Sequence, residues 1–308
     1  MLFDFLTDME ETNTRSTTPV KRDSVAVVTG ANKGIGLHIC HQLASNGVFV
    51  ILTARDEKKG IEAVENLTQS GLSNVVFQQL DIQDPRSVAT LAIFVENRFG
   101  KLDILVNNAG DGGLILNYEA FRAFKLRGDK VSDENAHLLK GIMEQTYEKT
   151  KECLETNYYG TKRVTEAFLP LLQCSKSTRI VNISSFHGQL KFLGNEKAKA
   201  ELENVDTLTV KRLDEIVEWF LRDFKENKLQ ANGWPLTVSA YKVSKAAVNA
   251  YTRIIASKYP SFQVNCIHPG LVKTDMTCNA GNKTAEEGAR APVMLALSPD
   301  GGPFRLLL

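Results

Sequence analysis

Six short apolar runs, rich in valine and isoleucine, recur at 25–28, 48–52, 75–80, 102–106, 179–183 and 262–267, with helical patterns between most of them. A strand that is apolar along its whole length, rather than at every second residue, has to be covered on both faces. Alternation of such strands with helices specifies an α/β fold built on a doubly wound parallel sheet. With 308 residues, 43% of them hydrophobic, the chain can bury a full core. The organisation that follows is a single domain over 23–308, preceded by a flexible extension over 1–22 that is polar, rich in Thr and Ser, and contains Met9 as a candidate true start.

Punctuation supports the alternation. Asp84 and Pro85 read as the cap and first-turn proline of a helix over 87–99, and Gly100 ends it. Two stretches, 111–150 and 188–239, are longer than ordinary connections and polar in much of their length, yet contain amphipathic pieces such as 213–224. They read as helical insertions near the strand ends, where a lid would sit.

Composition excludes several classes of function. A net charge of +1 with no basic cluster gives no footprint for nucleic acid. No apolar run approaches the roughly 20 residues that cross a bilayer, and the acidic start is unlike a targeting peptide. The five cysteines (Cys40, Cys153, Cys174, Cys266 and Cys278) are odd in number, scattered and without CxxC, so neither a disulfide framework nor a metal site is expected. A reducing, cytoplasmic setting fits.

The chemistry begins at Thr29-Gly30-Ala31-Asn32-Lys33-Gly34-Ile35-Gly36, between the first apolar run and the first helical pattern. A glycine-rich turn opening a helix presents backbone N–H groups and the positive helix end to an anion, which suits the pyrophosphate of a dinucleotide. This is the Rossmann arrangement. The second run leads into neutral Ala54 and then Arg55, where a site for NAD would place an acidic side chain on the ribose 2′-hydroxyl. Arg55, joined by Lys33, would instead welcome a 2′-phosphate, and the expected cofactor is NADP(H).

Tyr241 and Lys245 form YxxxK, four residues apart on one helix face, where an ammonium can favour the tyrosinate and bring the phenol toward general acid catalysis. The same spacing at Tyr147/Lys151 and Tyr158/Lys162 shows how readily the pattern arises. Tyr241 is set apart by its place, after the strand ending Asn182-Ile183-Ser184-Ser185 and before the strand at 263–267.

In this order, TGANKGIG, Asp81-Ile82, Asn107-Asn108-Ala109-Gly110, Asn157, Ser184-Ser185, Tyr241 to Lys245, and Pro269-Gly270 with Thr274 resemble the short-chain dehydrogenase/reductase family over residues 25–303. The wording of 102–110, 232–235 and 269–274 is most similar to the plant branch of salutaridine reductases and menthol dehydrogenases, and more distantly to carbonyl reductases. The resemblance implies that Tyr241 protonates a carbonyl oxygen, that Lys245 lowers the tyrosine pKa and holds the nicotinamide ribose, that Ser185 bonds the substrate oxygen, and that Asn157 holds a water of a proton relay. It also implies a cofactor site made by Gly30, Asn32, Lys33, Gly34, Ile35, Gly36 and Arg55, with Asp81 and Ile82 at the adenine, Asn108 at the adenosine ribose, and Leu271, Val272 and Thr274 over the carboxamide. Asn107 and Asn108 can equally pin the central strand. His187 reads as a pocket or surface residue, and Trp234 as packing.

The long segment between Ser185 and Tyr241 implies a monomer, since it occupies the surface that shorter relatives use for pairing. The residues after Pro303 depart from the family pattern, so an altered last strand is expected. The reading is an NADPH-dependent carbonyl reductase or alcohol dehydrogenase on a small apolar ketone or alcohol of terpenoid or alkaloid type. The alternative is a non-catalytic NADP-binding regulatory or scaffold protein of the same fold.

Overall fold

The computed structural model describes residues 23–128, 131–204 and 206–299. The amino-terminal extension and the atypical last residues lie outside them. The chain runs β1 (Val25–Val28), α1 (Gly34–Ser45), β2 (Phe49–Ala54), α2 (Glu57–Gln69), β3 (Val75–Gln79), α3 (Pro85–Phe99) and β4 (Ile104–Asn107). The first excursion holds β5 (Ile115–Leu116), α4 (Tyr118–Leu126) and β6 (Met143–Glu144). After it come α5 (Tyr147–Leu154), a π-helical turn (Glu155–Gly160), α6 (Thr161–Gln173) and β7 (Arg179–Ile183). The second excursion carries α7 (Glu196–Glu203) and α8 (Val210–Lys225), and the chain continues through α9 (Ser239–Lys258), β8 (Gln263–Ile267) and α10 (Ala285–Ala296).

The six long strands form one parallel sheet in the order β3-β2-β1-β4-β7-β8, the doubly wound sheet expected from the apolar runs. β5 and β6 pair separately as a small antiparallel ribbon. All residues of β1, β4, β7 and β8 are buried, which is why these strands show no alternation. Each fully buried valine or isoleucine contributes about 1.5–3 kcal/mol of transfer free energy. One layer packs α1, α2 and α10 on the sheet through Ile39, Leu43, Leu67 and Val293; the other packs α3, α6 and α9 through Leu91, Phe168, Ala247 and Tyr251.

β2 runs two residues beyond the apolar run at 48–52. Thr53 and Ala54 still pair with Gln78 and Gln79 of β3, and the buried Thr53 hydroxyl donates to the Val28 carbonyl at 2.9 Å. Side-chain caps fix the helix starts: Asp56 accepts from the Lys59 N–H, Asp84 from Arg86, Thr146 from Lys149 and Thr209 from Arg212. Pro85 sits in the first turn of α3, and Gly100 closes that helix in the left-handed region.

Candidate active site

The strand order reverses between β1 and β4, so the chain leaves their carboxyl ends in opposite directions and a crevice opens there. The glycine turn follows β1 and Asn107-Asn108-Ala109-Gly110 follows β4, and the two touch. Gly30 has φ 61°, and a Cβ on it would stand 2.8 Å from the Ala109 Cα. A Cβ on Gly36 would meet the Asn108 amide nitrogen at 2.5 Å and the Ala31 backbone at 2.8 Å. Both positions demand glycine for space.

Polar bonds hold this contact. The Thr29 hydroxyl accepts from the Asn108 and Ala109 N–H groups at 3.0 Å each, while the Asn108 side chain donates to the carbonyls of Thr29 and Gly30 at 2.9 and 3.0 Å. Asn108 thus braces the turn. Its neighbour Asn107 donates to Thr165 and Asn182 and ties β4 to α6 and β7.

Lys33 caps α1 without a side-chain bond, and the helix has no acidic residue in its first turn, so its amino end suits an anion. The Lys33 ammonium pairs with Asp275 at 2.5 Å across the mouth of the crevice, both side chains exposed. Arg55 is exposed at the end of β2. Asp81, whose carboxylate accepts from the Gln83 N–H, and buried Ile82 follow β3; exposed Leu271, buried Val272 and Thr274 follow β8. A close-packed glycine cradle, an uncapped helix end and cations in place of an acid at the ribose position fit a phosphorylated dinucleotide.

Tyr241 is the third residue of α9. Burial at its hydroxyl pushes the phenol up to about 12, opposed by a hydrogen bond with Ser185. Ser185 is buried after β7 and accepts from the His187 N–H at 3.2 Å. Burial pulls the Lys245 ammonium down to about 8. It donates to the Ile183 carbonyl at 2.7 Å and lies 5.6 Å from the centre of the Tyr241 ring. The expected depression of the tyrosine by Lys245 is therefore not what sets the phenol here, because burial outweighs the other influences on it.

Asn157 lies in the π-helical turn. Its oxygen accepts from the Asp111 N–H at 2.7 Å, and its nitrogen donates to the Asp111 carbonyl and the Ser244 hydroxyl at 2.9 Å each. Ser244 donates in turn to the Tyr241 carbonyl at 2.9 Å. The side-chain amide fixes the start of the first excursion and the first turns of α9. Tyr241, Ser185, Lys245 and Asn157 converge at the carboxyl ends of β4 and β7.

A family profile described as short chain dehydrogenase matches residues 24–198, and one described as Enoyl-(Acyl carrier protein) reductase matches 230–299. Short-chain dehydrogenase/reductase 1 of Saponaria officinalis is 54% identical over 284 residues, covering 91% of this chain and 92% of the relative. The chain belongs to the short-chain dehydrogenase/reductase family. Among solved structures, salutaridine reductase from Papaver somniferum superposes with a TM-score of 0.86 at 50% identity over 92% of this chain and 100% of the other. Menthone neomenthol reductase from Mentha piperita gives 0.79 at 47% identity over 92% and 98%.

Within this short-chain dehydrogenase/reductase the other two YxxxK pairs lie elsewhere. Tyr158 and Lys162 both bond Asp214 of α8 at 2.7 Å, and Tyr147 and Lys151 lie on α5. His187 is partly buried beside Phe186, Phe192 and the Tyr241 ring; burial, reinforced by the charges of Lys242 and His268, pulls it down to about 4. Trp234 is buried on Phe220 and Trp219 and donates to Asp223 at 2.8 Å.

Sequence reasoning passed over Ser244, Asn249 and Thr252. Asn249 bonds the Ser184 hydroxyl and the Gly188 carbonyl, and Thr252 accepts from Asn182. A signal for them exists: with Tyr241 and Lys245 they form a polar stripe at helical spacing inside an otherwise apolar pattern. Among the described residues no cluster of His, Cys, Asp or Glu could hold a metal ion, and no helix is long and apolar enough to cross a membrane.

Proposed function

We propose that this chain is an NADPH-dependent carbonyl reductase or alcohol dehydrogenase acting on a small apolar ketone or alcohol of terpenoid or alkaloid type. The observation that carries this reading is the Tyr241–Ser185 hydroxyl pair buried in the crevice, with Lys245 held beside the same ring by the Ile183 carbonyl. The substrate class follows the names of the salutaridine and menthone neomenthol reductases that the chain resembles.

The cofactor would be held by Gly30, Asn32, Gly34, Ile35 and Gly36 at its pyrophosphate, and by Arg55 with Lys33 at the 2′-phosphate. Asp81, Ile82 and Asn108 would flank its adenosine, and Leu271, Val272 and Thr274 would cover its nicotinamide end, with Lys245 at the ribose. When bound, NADPH supplies the hydride. Tyr241, protonated at neutral pH, donates its proton to the carbonyl oxygen, and in the oxidative direction takes it back. Ser185 donates a hydrogen bond to the same oxygen, stabilising the negative charge that develops there. Asn157 holds Asp111 and Ser244 in place around these groups.

The chain is also read as a cytoplasmic monomer. α8 of the second excursion packs on α9 and α5, which supports the reading that this segment takes the surface the family resemblance assigns to pairing in shorter members.

The test is NADPH oxidation by purified protein against terpenoid, alkaloid and simple aromatic ketones with matched enones, repeated with Tyr241→Phe. Ketone turnover that falls by more than about 10²-fold in the variant, with NADPH binding within a few-fold, is the expected result. NADPH binding without any turnover would replace the reductase with a non-catalytic binding protein.

A further inference from the structure

The helix that carries Tyr241 begins badly by local rules. Its N-cap is Val238, at φ 52° and ψ 35°, in the left-handed region that a β-branched residue rarely adopts. Valine also has no side-chain acceptor for the first amides of the helix.

Two residues of the first excursion supply what the local sequence lacks. The Gln145 carbonyl oxygen accepts from the Ser239 N–H at 2.7 Å and the Ser239 hydroxyl at 2.8 Å, while its amide nitrogen donates to the Leu236 carbonyl at 2.7 Å. The Asp133 carboxylate accepts from the N–H groups of Leu236 and Thr237 at 3.0 and 2.9 Å and from the Thr237 hydroxyl at 2.5 Å, and pairs with Lys242 at 3.0 Å. Lys242 is buried and adjoins Tyr241. Burial would raise the Asp133 pKa, but its bonds from Thr237, Leu236 and Lys242 hold the carboxyl below its ordinary value. A carboxylate at a helix amino end is also favoured by the helix dipole.

We propose that Gln145 and Asp133 are positioning residues: a cap supplied from about a hundred positions away that fixes the first turn of α9 and so aims the Tyr241 hydroxyl at Ser185. This rests on the reading of Tyr241 as proton donor. Lys245, one turn further on, is secured independently by Ile183, and the helix beyond it by the buried side chains of Ala246, Ala247, Ala250 and Tyr251. Loss of the cap therefore loosens the turn that holds the phenol while leaving the lysine and the glycine cradle in place.

The experiment compares Gln145→Leu, Gln145→Glu and Tyr241→Phe in the full chain, by ketone turnover, NADPH binding and hydrogen exchange of peptides over 236–245. In Gln145→Leu, kcat is expected to fall about tenfold, since a displacement of about 1 Å can cost 10²-fold. NADPH affinity stays within twofold and exchange accelerates over 236–245 but not over α1. Gln145→Glu restores the acceptor for Ser239 but not the donor to the Leu236 carbonyl, and recovers part of kcat. Unchanged kcat in Gln145→Leu, beside an inactive Tyr241→Phe, overturns the positioning role alone. So does equal loss of turnover and NADPH binding, or the absence of recovery in Gln145→Glu. An active Tyr241→Phe overturns the proton-donor reading, and the positioning role with it.

Discussion

The glycine turn after β1 and the first turn of α9 sit at two ends of one crevice, and they are secured by opposite means. At the glycine turn, space is the constraint: backbones approach so closely at Gly30 and Gly36 that a Cβ has nowhere to go. At α9 the backbone is strained at Val238, and side chains from the first excursion compensate for a cap that the local sequence does not provide. One end is thus fixed chiefly by backbone packing, reinforced by the bonds between Thr29 and Asn108, and the other by side-chain polar bonds that stand in for a missing cap. The first tolerates no added atom; the second depends on atoms that substitutions remove.

The largest effect that would sharpen this contrast is at Gly36. Gly36→Val forces a side chain into the Asn108 amide and the Ala31 backbone, and overpacking against backbone is expected to cost about 3 kcal/mol or more, measured by urea unfolding, and to abolish NADPH binding. A variant of parental stability that binds NADPH would show that the turn yields, and the contrast would fail.

Next comes the pH dependence that Lys245 gives the α9 end. Lys245 titrates near 8 in the fold and near its ordinary 10.5 when unfolded, so between these values the unfolded chain holds the extra proton and stability rises with pH, by about 3 kcal/mol at most. Tyr241 acts in the opposite sense: its raised pKa makes the fold lose stability between about 10 and 12. Burial also raises the thiols of Cys40, Cys153 and Cys266, so parent and variant alike lose stability above about pH 9, and the expected result is a parent-minus-Lys245→Met difference in urea midpoint that grows from pH 8 to 10. A difference that stays constant over that range would assign the titration elsewhere.

The smallest effect is at Arg55, on the exposed rim. Arg55→Ala should weaken NADPH binding about tenfold and leave NADH almost unchanged, as loss of one charge-assisted contact to a 2′-phosphate predicts. Equal weakening of both dinucleotides would remove Arg55 from that role.

The same division decides what could be read in advance. Continuous burial leaves β1 wholly apolar and β4, β7 and β8 apolar except for the buried Asn107, Arg179, Asn182, Gln263 and Asn265, and the glycine turn announces itself through residue types with few other uses. Tyr241 and Lys245 were legible through helical spacing and position in the chain. Gln145 and Asp133 were not, because polar residues in a polar stretch carry no periodicity, and the groups they meet lie some 90 to 110 positions further on. Nor could sequence reveal that Lys245 rests on the Ile183 carbonyl, since a backbone oxygen has no letter of its own. The bonds of Asn157 to Asp111 are hidden for the same reason, being made largely to main chain.

The ion pair between Lys33 and Asp275 joins the two lips of the crevice, from residues 242 positions apart, and both side chains face water. Such a pair is worth at most about 1 kcal/mol, roughly a factor of five in its closed-to-open ratio. It works as a loose hasp: thermal motion lifts it continually, and added salt weakens it further as the screening length shortens to about 8 Å or less. The salt sensitivity of the crevice is thereby confined to its exposed rim, while the buried Tyr241 and Ser185 hydroxyls are screened little.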